Sequence, residues 1–300
     1  MSARSSREQV GMIGLGIMGG AIARNLTAAG WPVVGFDTNS ERCQAAAAAG
    51  VKVAPSAAVV AEQASTLLTS LPRPQALHAV VEEINSAALP RRVVVELGTF
   101  ALDDKIKAEA ALRAHGHAML DCPLSGTGAQ ARDRDLVVYA SGESAAIAAL
   151  APLFSDFART FFDVGVFGNG SRMKFVANLL VAIHNVASAE AFVLGMKAGL
   201  DPQHILSLIS AGAGNSRVFE LRGPMMAAGS YDGENVTMRM ATWQKDMAVI
   251  GEFARAIGAP TPLFCTTESI YTAAMAGGHA DQDTAAVCAV LEAMAGLKRH

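Results

Sequence analysis

Short apolar runs alternate with segments of helix-forming residues over the first half of the chain. Apolar runs of strand length occur at residues 10–13, 31–36, 51–54, 66–71, 93–97, 118–122, 136–141 and 159–163. Segments rich in alanine and other helix formers separate most of them, beginning with residues 17–29. Because strands that alternate with helices usually form a parallel sheet covered on both faces, the pattern predicts an α/β fold with a doubly wound sheet.

The pattern changes beyond residue 170, where no further strand is predicted and the sequence is typical of successive helices. The first of these, residues 171–198, is apolar on nearly all sides, which predicts a long linking helix buried along most of its length. Another helix is predicted at residues 236–257, and its adjacent charges Lys245 and Asp246 are expected to face solvent. The predicted domains are an α/β domain at residues 1–166 and, at residues 167–300, the linking helix with an all-α C-terminal domain.

Three glycines follow the first predicted strand at the spacing G-x-G-x-x-G. Gly14 permits a tight turn, Gly16 has no Cβ and lets a pyrophosphate approach the backbone, and Gly19 lets the next helix lie close to the strand. The N–H groups at the start of that helix present partial positive charge to phosphates. We therefore predict a dinucleotide site at this turn, including Ile17 and Met18 at the start of the helix.

An acidic residue follows the second predicted strand, about twenty residues beyond the glycines, as the dinucleotide fingerprint requires. Asp37 can accept hydrogen bonds from both adenosine ribose hydroxyls and would repel a 2′-phosphate, which favours NAD over NADP. Arg42 is near enough in sequence to meet a phosphate, so NADP stays open as the cofactor. The structural alternative is that the glycines only make a turn and Asp37 only caps a strand.

Three further loops follow predicted strands at the carboxyl edge of the sheet, where open α/β sheets bind ligands. Leu71 and Pro72 end one strand, and Thr99 follows another. The third loop carries Ser125 and Thr127 among glycines, and its backbone N–H groups and two hydroxyls suit a carboxylate or a similar anion. Ordinary turn chemistry is the alternative for each loop.

A polar face runs along the predicted linking helix. Lys174, Asn178, Asn185 and Ser188 are spaced by four, seven and three residues, so they share one side of a helix. A lysine at the start of a buried helix needs a partner or a purpose, because an unpaired buried ammonium is costly. Alternatively, Lys174 extends to solvent while the asparagines satisfy backbone groups of a neighbouring helix.

Composition narrows the class of protein. The formal net charge is −3, and charged residues make up 17% of the chain against 51% hydrophobic residues, so neither disorder nor nucleic-acid binding is indicated. A small soluble substrate is expected instead. The four cysteines are scattered without a C-x-x-C pair, which indicates free thiols in a reducing compartment, so we expect a cytoplasmic protein.

The sequence does not predict a membrane span, a signal peptide or a metal site. The apolar stretch at residues 175–194 is interrupted by polar residues, so a membrane span is not expected. Residues 1–10 contain no apolar run before the first strand, and no signal peptide is expected there. His115 and His117 flank a glycine before a predicted strand, which is typical of a turn, so no metal site is expected.

Four motifs occur in the order found in a known enzyme family. They are Gly14-Leu15-Gly16-Ile17-Met18-Gly19 with the following Asn25-Leu26, Asp121-Cys122-Pro123-Leu124-Ser125-Gly126, Gly170-Ser171-Arg172-Met173-Lys174 with Asn178, and Lys245-Asp246-Met247. With these motifs the chain resembles, over essentially its whole length, the β-hydroxyacid dehydrogenase family, which includes 3-hydroxyisobutyrate dehydrogenases, tartronate semialdehyde reductases and the related 6-phosphogluconate enzymes. The resemblance is consistent with a doubly wound Rossmann domain, a long linking helix and an all-α domain, and we expect the substrate in the cleft between the two domains.

The resemblance also implies roles for individual residues. Lys174 would be the catalytic acid/base, and Asn178 would position the substrate and the lysine. Ser125 and Gly126 would help to hold the substrate carboxylate. The remaining implied positions are Lys245 near the substrate or the nicotinamide, and Thr99 with Leu71 and Pro72 along the cofactor cleft.

Two residues depart from the family pattern. The family commonly has two glycines after the motif serine, whereas here Thr127 replaces the second and either crowds the pocket or adds a hydroxyl contact. Cys122 stands where a small alanine often precedes the proline, and without a histidine base beside it in the sequence a catalytic thiol is not expected. Further candidate pocket residues are Asn215, Ser216 and Phe219.

These observations predict an NAD-dependent dehydrogenase or reductase that acts on a small β-hydroxy acid or its semialdehyde. In the oxidation direction a base must take the hydroxyl proton as the carbon gives hydride to the nicotinamide, and Lys174 is the predicted base. The apolar helices exceed what one short domain can bury, so we expect a homodimer or homotetramer, as the resemblance also implies. The alternatives are an imine reductase, a class that generally replaces this lysine, and a dinucleotide-binding module without chemistry.

Overall fold

The computed structural model describes residues 7–233 and 236–299. These residues form two compact units, one at residues 7–174 and the other at residues 175–233 with 236–299. Residues 1–6, which belong to the stretch where no signal peptide is expected, lie outside the described residues.

A six-stranded parallel sheet forms the centre of the first unit. Its strands are β1 Val10–Ile13, β2 Val33–Phe36, β3 Lys52–Val53, β4 Thr66–Thr69, β5 Val93–Glu96 and β6 Ala118–Asp121. Their order in the sheet is β3-β2-β1-β4-β5-β6, and each neighbouring pair is parallel. The strand order therefore reverses beside β1, which places the topological switch point at the carboxyl ends of β1 and β4.

Helices cover both faces of this sheet. They are α1 Ile17–Ala28, α2 Ser40–Ala48, α3 Ala57–Gln63, α4 Pro74–Ser86 and α5 Leu102–Ala114. One buried apolar cluster joins Ile22 of α1 to Leu68 of β4, and the other joins Leu77 of α4 to Val94 of β5. The predicted doubly wound α/β domain is confirmed.

A smaller mixed sheet follows the large one. Its strands are β7 Leu124–Ser125, β8 Val137–Ala140 and β9 Thr160–Asp163, and a short helix, α6 Gly128–Arg132, lies between β7 and β8. β7 is antiparallel to β8, and β8 is parallel to β9. The apolar runs predicted as the last strands thus form β8 and β9 in a sheet of their own, an arrangement that strand periodicity does not reveal.

One predicted helix of the first unit is interrupted. Residues 143–154, which lie between two predicted strands and were expected to form one helix, belong to two: α7 Ser144–Ala149 and α8 Ala151–Phe157. Pro152 explains the break, because proline has no N–H to donate and its ring would meet the carbonyl of Ala148 in a continuous helix.

The second unit is helical over its described residues, apart from a single bridge between Arg239 and Asp283. Its helices are the greater part of α9 Asn169–Lys197, then α10 Pro202–Ser210, α11 Arg217–Ala228, α12 Met240–Ala256, α13 Pro262–Ala276 and α14 Val287–Met294. α12 begins four residues later than predicted. The backbone N–H groups of Thr237 and Met238 donate to the Asp283 carboxylate, at 2.7 and 3.0 Å, instead of starting the helix.

α9 is only partly buried, so the prediction of burial along most of its length is wrong. Phe175 and Phe192 are buried, whereas Val176, Leu180 and Leu194 are exposed by 53, 46 and 74%. By length and composition α9 also satisfies the criterion for a membrane span, with a mean hydropathy of 1.6. Core helices of soluble proteins satisfy the same criterion, and 44% of this apolar window is buried within the protein.

Candidate active site

The glycine turn after β1 has the shape that a dinucleotide needs. Gly14 has a φ of +91°, and a Cβ there would overlap the backbone oxygen of Ser70. A Cβ on Gly19 would overlap the backbone oxygen of Gly14, so neither position accepts a side chain. At Gly16, in contrast, a Cβ would meet the described chain only at Arg42, 3.7 Å away, which leaves the outer side of the turn open.

Positive charge surrounds this open side. No described side chain caps the first N–H groups of α1, and its first turn contains no acidic residue. A cavity of about 230 Å³ beside the turn is lined partly by Arg24, Arg42 and Arg132. Ile17 is 74% exposed, whereas Met18 packs against the core. Free helix N–H groups and guanidinium groups both stabilise phosphates, so these residues fit the pyrophosphate of a dinucleotide.

Asp37 joins the end of β2 to the glycine turn. One carboxylate oxygen accepts the backbone N–H of Leu15 at 2.8 Å, and the other accepts the backbone N–H of Asn39 at 2.8 Å. Arg42 Nη1 lies 3.5 Å from the first of these oxygens. Each carboxylate oxygen can accept a second hydrogen bond, so Asp37 can still receive ribose hydroxyls.

The loops after β4 and β5 lie at the same edge of the sheet. Leu71 comes within 3.3 Å of where a Gly14 Cβ would be, so this loop contacts the glycine turn, and Pro72 beside it is exposed. Thr99 is half-buried after β5, and the preceding Gly98 donates its N–H to Glu96 at 2.7 Å.

The loop predicted to bind an anion is shaped by glycine and by a helix cap. Ser125 ends β7, and Gly126 has a φ of +138° with Leu136 2.6 Å from where its Cβ would be, so only glycine fits. Thr127 is the N-cap of α6. Its hydroxyl accepts the backbone N–H of Gln130 at 3.5 Å, and the Gln130 side chain accepts the Thr127 N–H at 3.0 Å.

α6 brings this loop next to the glycine turn. A Cβ on Gly128 would overlap the side chain of Ile17, so the start of α6 lies directly against the first turn of α1. The Asn25 side chain of α1 also donates to the backbone oxygen of Ala131 in α6 at 2.8 Å. Two predicted sites, for the cofactor and for the substrate carboxylate, are therefore neighbours within the first unit.

The polar face of α9 divides into two parts. Lys174 and Asn178 are both buried, with 8% and 4% exposure. Asn185 donates to the Tyr271 hydroxyl and to the backbone oxygen of Thr284, both at 2.9 Å. It therefore has the structural role given above as the alternative to a role in the active site, which is to satisfy polar groups of neighbouring segments. Ser188 donates to a carbonyl of its own helix, as buried hydroxyls often do.

Asp246 was not predicted to take part, and it contacts two predicted site residues. The Asn178 amide donates to one Asp246 oxygen at 3.1 Å, and Lys245 Nζ lies 3.3 Å from the other. Asp246 is only 7% exposed, so the expectation that this charged pair faces solvent is wrong for Asp246. The signal was present in the sequence, because Trp243 and Ile250, three residues before and four after, put Asp246 on the apolar face of α12.

The three other candidate pocket residues have local structural partners. The Asn215 amide donates to the Glu220 carboxylate at 2.8 Å. Ser216 is the N-cap of α11 and accepts the N–H of Phe219 at 3.1 Å. Phe219 is buried and stacks on Phe192, with ring centroids 5.4 Å apart.

Cys122 and His117 of the first unit have structural contacts and are not arranged as catalytic groups. Cys122 is fully buried, and this burial raises the pKa of its thiol well above the usual value. His117 Nδ1 accepts the backbone N–H of Arg92 at 3.1 Å, which is a structural contact. Among the described residues, no group of three or more His, Cys, Asp and Glu side chains is arranged to hold a metal ion.

Two family models match the chain almost from end to end. Residues 9–166 match the NAD binding domain of 6-phosphogluconate dehydrogenase. Residues 168–291 match the model described as NAD-binding of NADP-dependent 3-hydroxyisobutyrate dehydrogenase.

Individual relatives align over the same length. A probable 3-hydroxyisobutyrate dehydrogenase of Mycobacterium tuberculosis is 30% identical over 290 residues, which cover 95% of this chain and 98% of that protein. An L-threonate dehydrogenase of Escherichia coli K12 is 31% identical over 287 residues, which cover 94% of each protein.

Solved structures agree with this relationship. The Mycobacterium tuberculosis 3-hydroxyisobutyrate dehydrogenase with L-serine matches with a TM-score of 0.86 and 29% identity, covering 95% of this chain and 99% of that one. A Streptomyces aurantiacus imine reductase matches with a TM-score of 0.63 and 20% identity over the same shares, which shows a common fold alone. The chain belongs to the β-hydroxyacid dehydrogenase family, and it is an NAD(P)-dependent dehydrogenase that acts on CH–OH groups.

Proposed function

We propose that the protein transfers hydride between NAD(H) and a small β-hydroxy acid or its semialdehyde, with Lys174 as the acid/base. The observation that carries this proposal is the burial of Lys174, at 8% exposure, with the equally buried Asn178 four residues further along α9. A buried amine one helical turn from a buried amide provides a proton donor or acceptor beside a hydrogen-bonding group, which is what proton transfer with a substrate hydroxyl requires.

The reaction needs one proton transfer by the protein. Bound NAD supplies the hydride acceptor at its nicotinamide ring. In the oxidation direction, Lys174 Nζ accepts the proton of the substrate hydroxyl, and in the reduction direction the protonated Lys174 returns it to the carbonyl oxygen. Asn178, which Asp246 holds through its amide, orients the substrate and the lysine.

Other side chains bind the substrate and the cofactor. For the substrate carboxylate we propose the hydrogen-bond donors of Ser125, Gly126 and Thr127 together with the ammonium of Lys245. For the cofactor we propose Gly14, Gly16, Ile17, Met18, Gly19, Asp37, Leu71, Pro72 and Thr99. NAD is the preferred cofactor in this proposal because Asp37 opposes a 2′-phosphate, and Arg42 beside it keeps NADP accessible.

The relatives suggest which substrates to examine first. Their names include 3-hydroxyisobutyrate, L-threonate and L-serine. All three compounds carry a carboxylate and a hydroxyl on the carbon β to it, which matches an anion-binding loop combined with a proton acceptor. The substrate of this chain is proposed to have the same two groups.

The first experiment measures NADH and NADPH absorbance with these acids and with the aldehydes or ketones that they form on oxidation, for the wild type and for Lys174→Ala. We expect the wild type to turn over at least one compound with NAD. We expect Lys174→Ala to lower kcat by about 10²- to 10⁴-fold, the usual contribution of an acid/base group, while still binding NADH. Lys197→Ala is the matched control, because Lys197 lies on the same helix and donates only to a backbone oxygen among the described residues.

Three results would contradict the proposal. A Lys174→Ala variant with the wild-type rate would remove the acid/base assignment, and turnover of a cyclic imine by that variant would favour an imine reductase. Cofactor binding without turnover of any compound would favour a dinucleotide-binding module without chemistry.

We further infer a cytoplasmic homodimer or homotetramer. The exposed apolar residues Val176, Leu180 and Leu194 on α9 support association with a second copy of the chain. All four cysteines are free thiols, which supports a reducing compartment.

A further inference from the structure

The first unit contains a buried ion cluster that the proposed reaction does not use. Lys105 of α5, Glu96 of β5 and Asp121 of β6 are all completely buried. Lys105 Nζ lies 2.5 Å from a Glu96 oxygen and 2.7 Å from an Asp121 oxygen. Burial opposes the charge of Lys105, but the two carboxylates outweigh it and raise the pKa of the lysine, so it stays charged. Replacing a buried ion cluster by hydrophobic residues of similar volume often costs no stability, so stability alone does not explain why these three charges are buried here.

Asp121 of this cluster extends to the start of α9. One Asp121 oxygen accepts the backbone N–H of Ser171 at 2.7 Å, and the other accepts the Ser171 hydroxyl at 2.9 Å. The Ser141 hydroxyl donates to the Asp121 backbone oxygen and accepts the N–H of Gly170, both at 3.0 Å. The first N–H groups of a helix have no partner within the helix, so these contacts determine where the first turn of α9 lies. Lys174 follows Ser171 by three residues, on the next turn.

The same cluster also contacts two other predicted site segments. Lys105 Nζ donates to the backbone oxygen of Gly98 at 2.7 Å, and Glu96 accepts the Gly98 N–H at 2.7 Å, directly before Thr99. Asp121 is the last residue of β6 and lies four residues before Ser125. One ion cluster thus fixes the backbone next to the segments proposed to hold the cofactor, the substrate carboxylate and the catalytic lysine.

We propose that Asp121 is a positioning residue for Lys174, and that Lys105 and Glu96 hold its carboxylate in place. This inference rests on the proposed function of Lys174. When the Asp121 to Ser171 contacts are lost, the first turn of α9 frays and Lys174 Nζ spends less time within reach of the substrate hydroxyl. The catalytic step slows, whereas the glycine turn that binds the cofactor is unchanged.

Two variants test the proposal at different strengths. Ser171→Ala removes one hydrogen bond to Asp121 and leaves every buried charge in place. Asp121→Asn also removes the negative charge. Ser188→Ala is the matched control, because Ser188 is a buried hydroxyl of the same helix that donates to the His184 backbone oxygen. All three are compared with Lys174→Ala on the best substrate of the panel.

We expect kcat to fall about tenfold in Ser171→Ala and about a hundredfold in Asp121→Asn, since small misplacements of a reacting group cost rates of this size. We expect the dissociation constant of NADH, measured by fluorescence, to stay within about twofold of wild type in Ser171→Ala, because this variant leaves the contacts of the cluster with Gly98 in place. In Ser171→Ala we expect KM for the hydroxy acid to stay within about twofold of wild type while kcat falls, because the residues proposed to hold the substrate carboxylate are unchanged. Ser188→Ala keeps the wild-type kcat and KM.

Hydrogen exchange supplies a measurement that needs no substrate. The amides of residues 171–174 should exchange faster in both variants than in the wild type and in Ser188→Ala. Unchanged exchange there would overturn the proposal.

The remaining outcomes separate this proposal from the proposed function. If Lys174→Ala loses activity while Ser171→Ala and Asp121→Asn keep the wild-type kcat, the cluster only stabilises the fold and the inference is refuted alone. If Lys174→Ala keeps the wild-type rate, the acid/base assignment and this inference both fail. If Asp121→Asn does not fold, the kcat of Ser171→Ala decides.

Discussion

Asp37 shows how a single residue meets a structural and a chemical requirement. Its carboxylate accepts the Leu15 N–H and lies 3.5 Å from Arg42. Asp37→Asn keeps one oxygen, for the N–H of either Leu15 or Asn39, but removes the charge that opposes a 2′-phosphate, and it leaves Arg42 available to the phosphate. We expect the ratio of kcat/KM for NADP to kcat/KM for NAD to rise about tenfold, a change of about 1.4 kcal/mol. Initial rates with both cofactors give this ratio.

Asp163→Asn is the control for this prediction. Asp163 accepts a backbone N–H, from Gly165 at 2.9 Å, so the substitution changes the same charge in a residue with a similar contact. The control should leave the cofactor ratio as in the wild type. An unchanged ratio in Asp37→Asn would mean that Asp37 does not set the cofactor preference.

Residues whose role depends on spacing within one short motif were the easiest to predict. The roles of Gly14 and Gly19 follow from local spacing, and the structure gives each a physical reason in the backbone oxygen that its Cβ would meet. The burial of Asp246 could have been inferred from the apolar face of α12, but its contact with Asn178, sixty-eight residues away in the sequence, could not. Contacts of that range arise from packing between helices, which spacing within one helix does not specify.

Thr127 is the N-cap of the helix α6 and is also proposed to bind the substrate carboxylate. It caps α6, and the same hydroxyl can accept from Gln130 and donate to a substrate carboxylate. Thr127→Ala removes both interactions, so we expect the free energy of unfolding to fall by about 1 kcal/mol, the usual value of a lost N-cap. We also expect KM for the hydroxy acid to rise while the dissociation constant of NADH is unchanged. Chemical denaturation and steady-state kinetics measure the two effects.

Thr127→Ser tests the hydroxyl itself. Serine is at least as good an N-cap as threonine and keeps the donor, so stability and KM should both stay near the wild-type values. If Thr127→Ala loses stability but keeps the wild-type KM, Thr127 is a cap only and the proposed contact with the carboxylate is wrong.

Elements that lie within apolar runs or long helical segments were predicted, including the two-residue strand β3, whereas α6 and β7 were not. The strands of the parallel sheet and the long helix α9 follow from apolar patterns that repeat over several residues. The five-residue helix α6 and the two-residue strand β7 are too short to show a period. They exist because Gly126, the capping box of Thr127 and the contact of Gly128 with Ile17 fix the backbone locally.

At the scale of the whole molecule, the buried cluster of Lys105, Glu96 and Asp121 could not be read from the sequence. The three residues come from three different elements, and no spacing within one element pairs its charge with the other two. Their meeting depends on the order of β5 and β6 in the sheet and on the way α5 covers them. The three charges come together only when the chain has folded, because strand order and helix position are not given by spacing along the sequence.

The exposed face of α9 has a consequence for the whole molecule as well. Val176 and Leu194 are five helical turns apart, and Leu180 lies between them on the same face. Exposed leucines in such a row are costly in water, so a second copy of the chain is proposed to cover them. Leu180→Glu would bury a charge in that interface, and we expect a smaller mass by light scattering after size-exclusion chromatography than for the wild type.

The matched control for this experiment lies in the first unit. Ile106 of α5 is exposed by 44%, against 46% for Leu180, so Ile106→Glu makes the same change at an equally exposed site. It should leave the oligomer intact, because no other large apolar residue of α5 is exposed within the described chain. A monomeric wild type, or a Leu180→Glu variant with the wild-type mass, would show that the apolar face of α9 does not hold subunits together. An oligomer that dissociates in Leu180→Glu but not in Ile106→Glu would locate the interface on α9, because only the position of the new charge differs between the two variants.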